Sequence, residues 1–269
     1  MDINSDRIGL AKKVTVGICG DAKLVARQIL EQLSSGAGDK DREERRALIH
    51  QTKSAWLQSL TSMDHEDDDP GTTWNAESRE RDPDFMSPRI AWRAIQAALP
   101  KDAIISSDIG NNCAIGNAYP IFEEGRKYLA PGLFGPCGYG FPSILGAKIG
   151  CPDKPVVCFS GDGGFLMGSS EIATAVKYGV NVIGIVINDG ALTSIKASQQ
   201  KAFRGRTIDT NMINPDFVEL AKSFGAKGKR VKSLDKFKKV LEEALVNQGP
   251  TIIEAVSYTH LTLPTILLV

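Results

Sequence analysis

The 269-residue chain carries 32 acidic and 32 basic side chains, a balance that gives no reason to expect nucleic acid or an anionic membrane as a partner. Its five cysteines, an odd number without a C-x-x-C spacing, argue for a reducing, cytoplasmic setting and against a disulfide framework or a zinc site. Three scattered histidines (His50, His65, His260) argue against a His-based metal cluster or a Ser-His-Asp triad, and the apolar tail 261–269 is too short to span a bilayer and is broken by Pro264.

Residues 1–38 read as the closing unit of a domain that begins upstream. Residues 14–19 predict a short strand, Gly20-Asp21 a turn with Asp21 as N-cap, and 22–33 a helix with Leu24, Val25, Ile29, Leu30 and Leu33 along one side. One strand and one helix bury no core of their own. The G-x-x-G of Gly17 to Gly20 lacks the spacing of a dinucleotide fingerprint and reads as a plain turn. Residues 39–84 predict a charged helix, with Leu48, Trp56, Leu57 and Leu60 as its apolar face, followed by a polar, Pro/Gly-punctuated linker. The acids of 65–69 are consecutive, without the spacing of a calcium loop, and read as solvated.

A second domain is expected over 85–255. Ser87-Pro88 supplies an N-cap and a proline at the first helical position, and Ile90, Ala91, Ala94, Ile95, Ala98 and Leu99 make a buried stripe that stops before Pro100. Residues 103–107 predict a strand running into Asp108-Ile109-Gly110-Asn111-Asn112, where amides after a glycine are ordinary turn chemistry. The glycine-dense segment 129–150 permits close approach of backbone to backbone or to a cofactor ring, and becomes helical around 144–149. Cys137 within it is, taken alone, a small hydrophobe.

The stretch 155–190 organises the rest. A β-branched run breaks at Gly161-Asp162-Gly163-Gly164, a helical pattern follows through Glu171 and Tyr178, and a second apolar run from 182 stops at Asn188-Asp189-Gly190. That is a strand, helix, strand unit, so Asp162 and Asn188 are expected just past the carboxyl ends of two parallel strands, where open α/β sheets bind ligands. One carboxylate, one amide oxygen and one backbone carbonyl suit a hard cation such as Mg²⁺, which takes oxygen ligands and shares them with phosphate. Gly163 and Gly164 let backbone N–H groups approach an anion at the start of the next helix. A Gly-Asp-Gly by itself is also what any strand-to-helix turn favours.

Beyond Asn188 the segment 191–212 is polar, with Arg204, Gly205 and Arg206 in a loop. Lys196, Lys201, Arg204 and Arg206 either meet an anionic substrate or are simply solvated. Asn214-Pro215 is expected to cap a helix ending at Gly225, 226–231 to form a strand, Ser233 to start a helix reaching about Asn247, and 251–255 to form the last strand. Residues 256–269 resemble the translation of a sequencing adapter and are set aside as a non-native tail.

The GDG turn and an Asn separated from Gly163 by twenty-four residues, with one helix and one strand between, resemble the signature of thiamine diphosphate-dependent enzymes of the acetolactate synthase-like family. The resemblance implies an α/β fold, the thiamine diphosphate-binding fold with its doubly wound, mostly parallel sheet, preceded by the C-terminal part of a middle domain. It implies thiamine diphosphate and Mg²⁺ as cofactors, with Asp162, Asn188 and the Gly190 carbonyl as metal ligands. Gly110, Asn111, Asn112, Gly163, Gly164, Ala191 and Leu192 would line the cofactor, and Cys137 would stand beneath its ring junction. Glu171 lies where some members place an acid and others a helix-face carboxylate without chemistry.

The wording before the GDG turn is most similar to members that release sulfite from sulfoacetaldehyde and pass the acetyl group to phosphate. After it, Asp189 to Thr193 look more like generic synthase or decarboxylase relatives, so the chain is either a divergent member or two related genes joined at the shared motif. The implied substrate is a small aldehyde or 2-oxoacid, with phosphate as acceptor in the first case. The alternatives are an acetolactate synthase-like ligase, a 2-oxoacid decarboxylase, or a cofactor-binding module silent without the N-terminal domain that carries the family's glutamate. Relatives assemble the site between subunits, which implies a homo-dimer or tetramer.

Overall fold

The computed structural model describes residues 1–33, 39–65, 88–119, 122 and 127–257. The linker read at 66–84, the Ser87 cap and most of the tail lie outside these residues. Two compact units are present, 1–61 and 62–269.

In the first unit Asp21 caps α1 (Ala22–Gln32), its carboxylate accepting from the amides of Lys23 and Leu24 at 3.0 Å each. Of the predicted apolar side only Val25 is buried, and Leu24, Ile29, Leu30 and Leu33 face solvent. The strand expected at 14–19 does not form. A single parallel bridge joins Asp2 to Cys19, and a 3₁₀ turn occupies Ser5–Arg7. A β-branched run needs a neighbouring strand to form a ladder, and none lies beside it among the described residues. The charged helix α2 (Asp39–His65) runs five residues further than its apolar pattern suggests.

The second unit is built on six parallel strands, β1 (Ile104–Ser107), β2 (Tyr128–Leu129), β3 (Val156–Gly161), β4 (Ile183–Asn188), β5 (Lys227–Val231) and β6 (Thr251–Val256), in the order β2-β1-β3-β4-β6-β5. Alternation along β3 explains the layering. Val157 and Phe159 point to one face, against α3 (Pro88–Ala98), α4 (Asn111–Ala118) and α10 (Leu234–Val246). Val156 and Cys158 point to the other, against α5 (Gly140–Gly150), α6 (Asp162–Gly168), α7 (Glu171–Lys177) and α9 (Phe217–Ser223). Such runs, buried on both faces, are what an all-parallel sheet requires. On the first face Trp92 of α3 meets Phe159 with ring centroids 4.5 Å apart. Gly184, a weak choice for mid-strand, is explained by the Phe141 ring, which would lie 3.0 Å from any Cβ there.

Two details differ from expectation. The helical pattern after the GDG turn is two helices, α6 ending at Gly168 and α7 starting at Glu171; Gly168 packs so closely that a Cβ there would come within 2.9 Å of the Gly138 carbonyl. The polar segment after Asn188 contains a full helix, α8 (Thr193–Ala202), with no buried side chain to announce it.

The chain order places β2 on one side of β1 and β3 on the other. The carboxyl ends of β1 and β3 therefore flank the point where the connection reverses, the crevice in which doubly wound sheets take ligands.

Candidate functional site

Three loops converge at that edge. The first follows β1. Asp108 is fully buried, and its carboxylate accepts from the backbone amides of Ile109 (2.8 Å), Gly138 (3.1 Å) and Gly140 (2.8 Å). One side chain thus fastens the glycine-dense loop to the end of the strand. Gly110 follows at φ 90°, a left-handed value suited to glycine, and opens α4. The Asn112 side chain lies over the end of β3, its Nδ2 only 2.7 Å from where a Cβ on Gly161 would be.

The second loop is the GDG turn. Asp162 is 2 % exposed, and its Oδ1 accepts from the Gly163 amide at 2.8 Å. Gly164 packs against Asp108: an added Cβ would stand 2.6 Å from Asp108 Oδ1, so this glycine answers a steric demand from the first loop. Gly163 is covered by Leu192 and Met212, at 2.8 and 3.2 Å from a built Cβ.

The third loop follows β4. Gly190, at φ 66°, donates its amide to Asp162 Oδ2 at 2.9 Å, and its carbonyl accepts from the Met212 amide at 2.8 Å. Asp189 turns the chain into α8, accepting from Thr193 Oγ1 at 2.6 Å and from the Ala191 amide at 3.2 Å. A strap crosses above: Leu192 donates to the Thr210 carbonyl, and Ala191 and Asn211 form an antiparallel bridge. Lys196 reaches the strap through Asn211 Oδ1 at 3.1 Å.

From the end of the strap Asn214 enters the site. Its Nδ2 donates to Asp162 Oδ2 at 2.6 Å and to Asn188 Oδ1 at 2.8 Å, while its own Oδ1 is buried without a partner. The expected cap role therefore falls elsewhere. Asp216, not Asn214, caps α9, accepting from the amides of Val218 and Glu219. Asn188 in turn donates its Nδ2 to Glu254 Oε1 at 2.7 Å.

The electrostatics of the site are those of negative charge held out of water. Burial raises the Asp162 pKa, working against hydrogen bonds from Asn214, Gly163 and Gly190 that lower it. Burial, with a smaller push from the Asp162 charge, lifts Asp189 to about 6. Among the described residues no three His, Cys, Asp or Glu side chains gather as a metal cluster. The oxygens that do gather are mixed: one carboxylate and one amide oxygen that face the same Asn214 NH₂ group, with the Gly190 amide beside them and its carbonyl accepting from Met212. That donor set fits a hard divalent cation.

The structure brings Asp162, Asn188 and Gly190 together, with Gly163, Ala191 and Leu192 beside them. Gly110, Asn112 and Gly164 stand at neighbouring strand ends, and Asn111 begins α4. Cys137 is exposed in the loop fastened by Asp108, and its thiol pKa is raised, by desolvation first and then by the Asp108 charge, which does not suit a nucleophile. Sequence reading gave Asp108, Asn214 and Glu254 no role in the site. Their signal is weak because an acid at a strand end, an Asn before Pro and an acid inside a strand have commoner explanations.

Residues 108–255 match the family described as thiamine pyrophosphate enzyme, C-terminal TPP binding domain. A probable sulfoacetaldehyde acetyltransferase of Rhizobium meliloti is 57% identical over 94% of the chain and 43% of its own length. The sulfoacetaldehyde acetyltransferase of Roseovarius nubinhibens is 56% identical over 95% of the chain and 43% of its own length. A probable acetolactate synthase large subunit of Methanococcus aeolicus is more distant, 29% identical over 94% of the chain and 42% of its own length. The chain thus spans less than half the length of these relatives.

Proposed function

The chain belongs to the thiamine pyrophosphate enzymes, whose cofactor-binding domain it carries over residues 108–255, and on that footing we propose that Asp162, Asn188 and the Gly190 carbonyl hold Mg²⁺ against the diphosphate of the cofactor. The observation that carries the reading is that one Asn214 NH₂ group donates to both Asp162 Oδ2 and Asn188 Oδ1: oxygens from the ends of two strands point at a common position. Gly110, Asn111, Asn112, Gly163, Gly164, Ala191 and Leu192 line the diphosphate and ring, and Cys137 contributes from the loop that Asp108 holds. Residues 85–255 are the diphosphate-binding domain in this reading.

For the whole protein the reaction is acetyl transfer, in which sulfoacetaldehyde and phosphate give acetyl phosphate and sulfite; the relatives from Rhizobium meliloti and Roseovarius nubinhibens, 57% and 56% identical, carry that enzyme's name. Bound thiamine diphosphate supplies the nucleophilic carbon and the electron sink. The residues described here anchor it, and the strap 208–214 with Leu192 and Met212 shields the diphosphate end from water. The working form is a cytoplasmic homo-dimer or tetramer. Five free cysteines accord with a reducing compartment, and no helix among the described residues is long and apolar enough to cross a membrane. The test is sulfite release from sulfoacetaldehyde and phosphate by this chain mixed with the separately expressed N-terminal region of a relative. Sulfite is expected from the mixture with both cofactors; consumption of a 2-oxoacid in its place, or silence throughout, overturns the acetyltransferase reading.

Asn214 bears on the same position, since its amide nitrogen occupies the point the cation would take. Asn214→Ala should therefore act in opposite directions on two measurements. Without metal it leaves buried oxygens short of a donor and lowers stability by about 1–3 kcal/mol. The same loss removes a competitor, so Mn²⁺ affinity in the presence of thiamine diphosphate should rise. Paired melting and titration experiments check this, and a fall in both would show that Asn214 is a ligand or support instead.

A further inference from the structure

The polar contacts do not stop at the ligand set. Asn188 ends β4, and its oxygen faces Asp162 because its Nδ2 goes the other way, to Glu254 Oε1 at 2.7 Å. Glu254 lies inside β6 and is 3 % exposed, an unusual place for an acid unless it is paired. Its Oε2 accepts from Arg230 Nε at 2.7 Å, and the two residues are register partners on β5 and β6. Arg230 also holds Asp216 through its guanidinium at 2.9 Å, which ties the pair to the cap of α9.

A primary amide has nearly the same shape either way round. Which end points where is decided by the hydrogen bonds at each end. With both oxygens accepting, Glu254 offers only acceptors, so the NH₂ end of Asn188 turns to it and the oxygen is left toward Asp162. Reversed, the amide would present two N–H groups to the cation position. We propose that Glu254, held by Arg230, is a positioning residue that locks the Asn188 amide with its oxygen toward the metal. The inference rests on the ligand set proposed above.

Glu254→Gln keeps the shape and inverts the instruction. Arg230 Nε–H claims the glutamine oxygen, so the glutamine NH₂ faces Asn188, whose oxygen must turn to meet it. Mn²⁺ affinity, measured by electron paramagnetic resonance with thiamine diphosphate present, is expected to fall about 10–100-fold, the usual cost of losing a partner that orients a ligand. A purely structural ion pair between β5 and β6 would lower the melting temperature without an orientation effect, and the rescue variant separates the two. Asn188→Asp alone sets two carboxylates against each other and should bind Mn²⁺ poorly. Asn188→Asp combined with Glu254→Gln restores a donor facing an acceptor, with a ligand oxygen available whichever way the carboxylate turns, and should bind within about tenfold of the parent.

A measurement on the unsubstituted chain covers the case in which Glu254→Gln does not fold. The Asn188 side-chain NH₂, followed by ¹⁵N NMR, should exchange slowly with solvent and keep its Glu254 partner when Mg²⁺ and thiamine diphosphate are added. Free exchange of that NH₂, or a double variant no better than Asn188→Asp, overturns the proposal. Failure of the parent chain to bind Mn²⁺ removes the ligand set and the proposal together. Loss of binding in Asp162→Ala but not in Glu254→Gln removes the positioning role alone.

Discussion

Asp162→Ala is expected to lower the affinity for Mg²⁺ and thiamine diphosphate by on the order of 100-fold or more, since partners that only orient a ligand already cost about 10–100-fold. The carboxylate is the one formal charge in the proposed ligand set, and Mg²⁺ is bound through one or two carboxylates together with phosphate oxygens. The loss should show without any assay of activity. At a ligand concentration roughly a hundred times Kd, binding stabilises the folded chain by about 2.7 kcal/mol. For a domain of this size that raises Tm by about 5–10 °C. The parent should gain that increment and the variant should not. In the absence of metal the two proteins should melt closer together, because alanine removes three hydrogen bonds but also a buried carboxylate whose ionised form burial disfavours. The sign of the pH dependence follows from the raised pKa. Without cation the Asp162 contribution is best with the proton on and declines as pH rises through the shifted value, whereas with cation the charged form is the one bound. An unchanged heat of binding in Asp162→Ala, measured by titration calorimetry, would sink the assignment of this edge as the cofactor site.

Much of this was legible because the physics is repetitive. The strands of the second unit alternate between two apolar helix layers, so β3, β4 and β6 are apolar in sequence, and glycine marks the turn at the end of β3. The parallel pairing of β3 with β4 follows from a helical connection between them, and it puts Asp162 and Asn188 at one end. What escaped was set by contacts distant in sequence. Asn214 looked like a cap because Pro215 follows it, but a cap is decided by which oxygen reaches the first free amides, and Asp216 does so. Glu254 gains its partners across β5 and β4, neither adjacent in the chain. The helix α8 shows no periodic apolar face, having no layer to bury against. In the first unit a β-branched run promised a strand, and propensity without a neighbouring ladder gave only one bridge.

The other large effect is expected at a residue that touches neither metal nor cofactor in the proposed reading. Asp108→Ala removes the acceptor of three backbone amides, those of Ile109, Gly138 and Gly140. Each buried donor left without a partner costs about 1–3 kcal/mol, and some of that returns as the loop relaxes toward water, so a net loss of about 3–5 kcal/mol is expected. That corresponds to a fall in Tm of about 6–20 °C. Asp108→Asn should cost less, about 1–3 kcal/mol, because its oxygen can keep the Ile109 and Gly138 amides while its NH₂ faces the Gly140 donor. Larger replacements are barred by the glycines packed against the carboxylate, since Gly164 already places a would-be Cβ 2.6 Å from Oδ1 and Gly140 3.1 Å from Oδ2. The destabilisation should be local before it is global: amide hydrogen exchange at Gly138 and Gly140 should speed up well below the melting transition, while the amides of β3 and β4 keep their protection. Because Cys137 sits beside these anchors, thiamine diphosphate affinity should fall with the loop even though Asp162 and Asn188 are untouched. Full retention of both stability and exchange protection in Asp108→Asn would mean that the loop is held by its own packing, with the carboxylate incidental.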